Sequence, residues 1–318
     1  MSHSNCAKRQ QEFWKSFSKY ADVLVVSPMK WGNKEVKDEL FTQPNGNIYR
    51  LLTGKCYNEG DMNSYYFDNF VYNEICNFNP DIIYQQNEVY SNQAFLSQSW
   101  AKSLGAKYVL FCWENIRQLN DRDKKFLENC DLVICGSEDS RVLYKGNLVL
   151  PQVGIDTNKF KSSEEKRYDV LYLGRYAPEK GVAYIKAAYP DTTFICSADY
   201  EYVPEALSKA KIFVSYPFDI SQWKEQWISY SVAEAMASGC AVIMSDTSSA
   251  KEYLKDSPVI LVPMQREDLL KEAIYTLLQN DEEIKARGKA CREWVKQFDN
   301  DIMSKKLYEI FKVLINDR

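Results

Sequence analysis

The chain has 318 residues, 45% of them hydrophobic, enough for two ordinary domains that each bury a core. Lys and Arg total 40 against 44 Asp and Glu, a net charge of −4, so the charge of the whole chain gives no drive toward nucleic acid or an anionic membrane. Nine scattered cysteines without a C-x-x-C pair, and the single histidine His3, argue against a zinc or other metal site and read as buried thiols of a reducing compartment.

No apolar run approaches the roughly 20 residues of a membrane helix, and residues 1–11 lack a signal-peptide core, so a cytoplasmic protein without a transmembrane segment is expected. Peripheral membrane contact stays open. In chain order, residues 13–20 have the spacing of a short amphipathic helix, and 22–28 form an apolar, β-branched run suited to a central strand. Met29-Lys30-Trp31-Gly32-Asn33 then reads as a strand-to-helix turn with one glycine, Gly32. Asn45-Gly46-Asn47 signals a turn before a strand over 47–52. A helix is expected over 65–77, a strand over 80–86, a helix over 92–104 and a strand over 107–112. Such β-α-β-α alternation predicts a parallel sheet covered by helices, with ligands meeting the carboxyl ends of the strands. Gln85, Gln86, Glu88, Trp113, Glu114 and Asn115 all stand at such ends. Glu114 is the candidate acid or base among them, and a solvated or ion-paired carboxylate is the plain alternative.

A strand over 131–135, a helix from Ser137 to Tyr144 and a strand over 147–150 lead into Pro151-Gln152-Val153-Gly154-Ile155-Asp156, where a domain boundary is expected before the charged connector 161–167. A second series begins with a strand over 168–173, the loop Gly174-Arg175-Tyr176-Ala177-Pro178-Glu179-Lys180-Gly181 and a helix over 182–188. Glycines bracket the loop so that backbone can approach a ligand, and Arg175 and Lys180 put two cations at a strand's carboxyl end beside a helix start. That arrangement suits a diphosphate; two cations facing water are the alternative. A strand over 192–196 ends at Ser197, followed by a helix over 203–210 and a strand over 212–217.

The stretch 225–246 says most about function. Ser229 or Ser231 is a good N-cap, 232–237 is helix-forming, Gly239 suits the C′ position, and 240–244 is a buried strand. Glu234 has no charged neighbour within a helical turn, and an unpaired carboxylate there is costly to bury. A carboxylate for a diol and a helix start for a phosphate together describe a nucleotide; a surface glutamate is the alternative. Ser248 and Ser249, just after that strand, offer further donors. A strand over 259–262 and three amphipathic helical stripes complete the chain.

The run Glu234-Ala235-Met236-Ala237-Ser238-Gly239-Cys240-Ala241-Val242 resembles the signature of retaining glycosyltransferase family 4 (glycosyl transferases group 1). Gly174-Arg175 with Glu179-Lys180-Gly181 resembles that family's diphosphate loop, and Gly154 and Asp156 match its linker. The resemblance implies an α/β chain with the GT-B fold, two Rossmann-like domains facing a central cleft. Residues 1–155 would form the acceptor-side domain, 156–300 the nucleotide-sugar-binding domain, and 301–318 a helix crossing back to the first. It also implies transfer of a sugar from a UDP- or GDP-sugar to the hydroxyl of a glycan, lipid or small molecule, with retention and with no metal, cofactor or nucleic acid.

On this resemblance Arg175 and Lys180 neutralise the diphosphate, and Glu234 holds the ribose hydroxyls. Ser229, Tyr230, Ser231 and Gly174 line the donor, Gly32 lies near its phosphates, and Ser197 lies near the base. The family's donor-sugar glutamate falls on Gln226, with Glu225 one step off register. Relatives often carry histidines where Gln86 and Trp113 stand, which leaves Glu114 as the acceptor-side candidate. A non-catalytic sugar-nucleotide-binding subunit, or a sugar-nucleotide hydrolase or epimerase, remains an alternative.

Overall fold

A computed structural model describes residues 1–152, 154–196, 198–225 and 227–316. It divides into two compact units, Met1–Gly154 with Asn300–Arg318, and Ile155–Asp299.

In the first unit, helix α1 (Lys8–Phe17) precedes strand β1 (Val23–Pro28) and a hairpin of β2 (Lys30–Trp31) and β3 (Lys34–Glu35). Strands β4 (Glu39–Thr42), β5 (Ile48–Gly54), β6 (Cys56–Tyr57) and β7 (Tyr66–Phe67) lead to α2 (Asn69–Phe78). The chain then alternates through β8 (Ile82–Gln86), α3 (Asn92–Leu104), β9 (Lys107–Cys112), α4 (Asp121–Leu127), β10 (Leu132–Cys135), α5 (Glu138–Tyr144) and β11 (Leu148–Val149). Parallel β1 and β5 with antiparallel β4 make one sheet, and β8 to β11, all parallel, make another. Between β1 and β8 the backbone of Met1 and Ser2 stands in for a strand: Ser2 N–H donates to Val26 O (3.4 Å) and Gln86 N–H to Met1 O (3.1 Å).

The second unit runs β12 (Tyr168–Leu173), α6 (Val182–Ala188), β13 (Thr193–Ile195), α7 (Val203–Ser208), β14 (Ala210–Ser215), α8 (Tyr230–Ala237), β15 (Ala241–Ser245) and α9 (Ser248–Tyr253). It ends with β16 (Ile260–Val262), α10 (Glu267–Leu278) and α11 (Asp281–Val295), after which α12 (Asn300–Asn316) belongs to the first unit. Its five strands are all parallel in the order β13-β12-β14-β15-β16. From β12 the chain goes first to one side and then crosses to the other, so the boundary between β12 and β14 is the switch point where such sheets open for ligands.

Apolar runs become strands here because both faces are covered. Val170, Ile212, Val214 and Ile243 are buried with Ile185, Leu270 and Ile274 of the helices. In the first unit Leu52, Ile83, Leu110 and Val133 do the same with Val71, Ala94 and Phe126. Each large aliphatic side chain so covered contributes about 1.5–3 kcal/mol relative to exposure. Helix α12 closes on α1 through a Phe17–Phe311 ring contact at 5.8 Å and on the turn after α1 through a Tyr20–Tyr308 stack at 5.4 Å.

Several elements differ from the sequence reading, for local physical reasons. The first helix spans Lys8–Phe17 rather than 13–20. Its polar start is buried because Gln10 Nε2 donates to Gln152 Oε1 (2.6 Å) and Gln11 Nε2 to Asn5 O (2.8 Å), and Ser18 Oγ bonded to Lys15 O (2.7 Å) closes its end. The turn after β1 leads to no helix: Gly32, at φ +60°, and Asn33 form the two-residue loop of the hairpin that pairs Trp31 with Lys34. The expected helix over 65–77 starts later, because Asp68 accepts the Val71 N–H (3.3 Å) as its N-cap and leaves Tyr66–Phe67 to pair with Cys56–Tyr57. Helix α4 has no counterpart in the reading; a capping box of Asn120 and Asp123 starts it where the apolar pattern is weak. Helix α9 likewise has no counterpart in the reading.

Candidate active site

Strand β12 delivers Gly174 and Arg175 to the carboxyl end of the second unit's sheet, where the Tyr172 hydroxyl fixes the turn by donating to Arg175 O (2.6 Å). A short 3-10 turn, Pro178–Lys180, then carries the chain to Gly181 and α6. Gly181 has φ +64°, and a Cβ there would lie 2.0 Å from Tyr216 O, so the loop packs directly on the backbone that follows β14. Phe218 N–H donating to Glu179 O (2.9 Å) ties the same two loops together across the switch point.

Both cations of this loop already hold an acid. The exposed Arg175 guanidinium lies 3.5 Å from Glu179, four residues on. Lys180 is more enclosed, with Nζ 2.6 Å from Glu225 Oε1 and 4.2 Å from the centre of the Trp223 ring. Burial pushes the Glu225 carboxyl above the usual range, against the pull of Lys180. Opposite them, Asp219 Oδ2 accepts both the N–H (2.7 Å) and the hydroxyl (2.8 Å) of Ser248, and the buried Ser249 donates to Trp227 O (3.2 Å). Ser248 and Ser249 are therefore committed to the fold.

Helix α8 begins at Ser229, whose backbone stands at φ 59° and ψ 147°, a region that costs a non-glycine residue about 1–3 kcal/mol. The side chains of Asp68, Ser91, Asn120, Ser137, Thr247 and Asn280 cap their helices. Ser229 makes no capping bond among the described residues; its Oγ instead lies 3.0 Å from Ser231 Oγ. The Ser229 side chain therefore does not cap the first N–H groups of α8. Tyr230 packs edge-on against Trp227, with ring centroids 5.2 Å apart. Glu234, one turn into the helix, is 1% exposed among Val232, Ala233, Ala235 and Met236. Ser197 and Gln226 lie outside the described residues.

The remaining candidates lie in the first unit. Gly32 is in the hairpin turn. Glu114, after β9, is built into a turn: its Oε1 accepts the N–H groups of Asn115 (3.0 Å), Ile116 (2.8 Å) and Arg117 (3.1 Å), and the Tyr90 hydroxyl donates to its Oε2 (3.1 Å). Burial pushes this carboxyl up, but these hydrogen bonds outweigh it and hold Glu114 below the usual range. Glu88, two residues past β8, behaves oppositely. It accepts Trp113 N–H and Glu114 N–H, both at 3.1 Å, yet burial, reinforced by the Glu114 charge, pushes it up to about 8.

Glu225, Trp223 and Asp219 carry the geometry of the second unit's site, and Glu88 that of the first, without having been chosen as site residues from the sequence. The available signals were faint: Glu225 stands beside the expected position 226, and Glu88 stands at a strand end.

The family model described as glycosyl transferases group 1 matches residues 190–294. No curated protein sequence matches the chain. Among solved structures, the sucrose-phosphate synthase of Thermosynechococcus elongatus superposes with a TM-score of 0.73 at 15% identity, over 100% of this chain and 98% of that one. A glycosyltransferase of Rickettsia africae gives 0.69 at 13%, over 97% and 95%. Anabaena HepE, solved with UDP and glucose, gives 0.62 at 13%, over 76% and 81%. At these identities the likeness concerns architecture, and it agrees with the parallel sheets and covering helices of this chain. The chain has the GT-B fold, and its stretch 190–294 carries the glycosyl transferases group 1 pattern.

Proposed function

We propose that this protein is a glycosyltransferase that moves a sugar from a nucleotide-diphosphate sugar to an acceptor hydroxyl, with retention and without a metal. One observation carries the reading: Arg175 and Lys180 share a unit with the start of α8 and a buried carboxylate one turn into that helix, around the switch point of a parallel sheet. Similarity to Anabaena HepE, solved with UDP-glucose, supports a uridine nucleotide as the first donor to try.

In this reading the second unit binds the donor and the first unit the acceptor. Glu234 takes the ribose hydroxyls, and the N–H groups of Tyr230 and Ser231 with Arg175 and Lys180 take the diphosphate. As the bond from sugar C1 to the phosphate oxygen breaks, its electron pair moves onto the diphosphate, and the two cations stabilise that charge. The acceptor oxygen bonds to C1, and its proton leaves to a base such as a phosphate oxygen. The roles of Ser197 and Gln226 stay with the family resemblance.

A thermal-shift series with UDP, GDP and ADP, followed by assay of nucleotide release from UDP- and GDP-sugars with and without saccharide acceptors, tests the proposal. One nucleotide should raise the melting temperature, and Arg175→Ala and Lys180→Ala should each remove most of that rise while leaving the fold intact. Unchanged nucleotide affinity in both variants would contradict the assignment. Acceptor-independent release would point to a hydrolase instead.

A further inference from the structure

Two carboxyl groups meet at the carboxyl end of the β8–β11 sheet and are held in opposite ways. Glu114 has one oxygen saturated by three backbone N–H groups of its own turn and the other bonded to Tyr90. The turn itself is anchored on the far side by the Ser140 hydroxyl, which donates to Glu114 O (2.8 Å). Glu88 reaches in from the end of the neighbouring strand and takes the N–H groups of Trp113 and Glu114, one on each oxygen. Its carboxyl therefore spans the point where β9 becomes the turn.

We infer that Glu88 is a positioning residue that sets the Trp113–Arg117 turn of the first unit, and with it the acceptor-side residues Trp113 and Glu114. The inference rests on the transferase reading for the word acceptor, and on the hydrogen bonds alone for the turn. Glu88 is faced by Glu114 on the turn, Tyr90 on its own loop, Cys112 on β9, Cys135 on β10 and Tyr144 on α5. Arg141 stands beside Cys135, and a second cation, Arg117, beside Tyr90. Arg117 lies 4.0 Å over the Tyr90 ring and pairs with Asp123 at 3.2 Å. A second negative charge beside Glu114 thus meets acids and phenols, so a proton on Glu88 lets both carboxyls keep their places. Its pKa, pushed up to about 8, sets the pH range in which the arrangement should change. Loss of that proton sets two like charges against each other at the root of the turn.

The test uses full-length protein labelled with 5-fluorotryptophan, with the Trp113 resonance identified by its loss in Trp113→Phe. In the wild type the resonance should shift in one step centred near pH 8. Glu88→Gln should abolish the step, and Tyr144→Phe, which removes the phenol that faces Glu88 and favours its ionised form, should move it to higher pH. A flat wild-type trace, or a step that survives Glu88→Gln unchanged, overturns the inference. Should Glu88→Gln fail to fold by circular dichroism, an unmoved midpoint in Tyr144→Phe overturns it. With UDP-glucose as donor and methyl glucoside as probe acceptor, Glu88→Gln should lower acceptor-dependent UDP release about tenfold and flatten its pH profile, with the UDP-induced melting shift unchanged. A wild type that shows no UDP shift defeats the donor reading, while the fluorine trace still decides the role of Glu88.

Discussion

Lys180 Nζ lies 2.6 Å from Glu225 Oε1, so the more enclosed of the two loop cations is already neutralised by an acid of its own unit. A diphosphate that uses Lys180 must compete with that carboxylate. Glu225→Gln should therefore tighten UDP binding, by about three- to tenfold, or roughly 0.7–1.4 kcal/mol. It should also cost about 1.5–3 kcal/mol of stability through loss of a charged hydrogen bond. Calorimetric titration with UDP checks the first and urea unfolding the second. Weaker UDP binding by Glu225→Gln would show that the acid assists the ligand rather than competing with it.

Ser229 holds a backbone conformation that glycine adopts freely and other residues resist. Ser229→Gly should stabilise the protein by about 1 kcal/mol, and Ser229→Ala, which keeps the strain and loses the contact with Ser231, should be no more stable than the wild type. Thermal unfolding of the three proteins in parallel would show it. An alanine variant as stable as the glycine one would remove strain as the explanation.

Gly181 has the opposite dependence. An added Cβ meets the Tyr216 carbonyl at 2.0 Å and the Phe218 ring at 3.2 Å, and φ stands at +64°. Because the blocking atom is backbone, the loop after β12 has to move, and Gly181→Ala should lose more than about 2 kcal/mol. Urea midpoints measure this, and UDP affinity should fall with them, since Lys180 is the preceding residue.

The Glu88 carboxyl also makes stability depend on pH. Its pKa rises from 4.5 to about 8 on folding, so between those values the folded chain holds a proton that the unfolded chain has released. Stability attributable to this group falls as pH rises through that window and is level above it. The melting temperature of Glu88→Gln relative to the wild type should therefore be more favourable at pH 9 than at pH 5. An equal difference at the two pH values would mean that Glu88 ionises normally in the fold.

The strands Lys107–Cys112 and Tyr168–Leu173 are legible in the sequence to the residue, because runs of apolar residues covered on both faces leave no other reading. The same holds for α3 and α6, bounded by Ser91 and Gly105 and by Gly181 and Tyr189. The α/β class with parallel sheets follows from that alternation. What the sequence leaves hidden depends on distant partners. The start of α1 looks too polar for a buried helix until Gln152 reaches Gln10 across the fold. Arg175 and Lys180 look free to take a phosphate, but Glu225 lies 45 residues from Lys180, and nothing local announces the pairing. Glu114 looked like an available base for the same reason: its hydrogen bonds come from the turn it closes, and the balance between its pKa and that of Glu88 comes from burial, which spacing does not encode.

The last helix has one more effect. A hydrogen bond joins Ser16 on α1 to Asp301 on α12, residues 285 positions apart. Helix α1 thus waits for nearly all of the following residues before its aromatic face is covered. The two ends of the second unit are neighbours, Ile155 bridging Asp299, so that unit is continuous in the chain. The inserted unit, residues 155–299, therefore has all of its residues before the unit that holds α1 and α12 has its own.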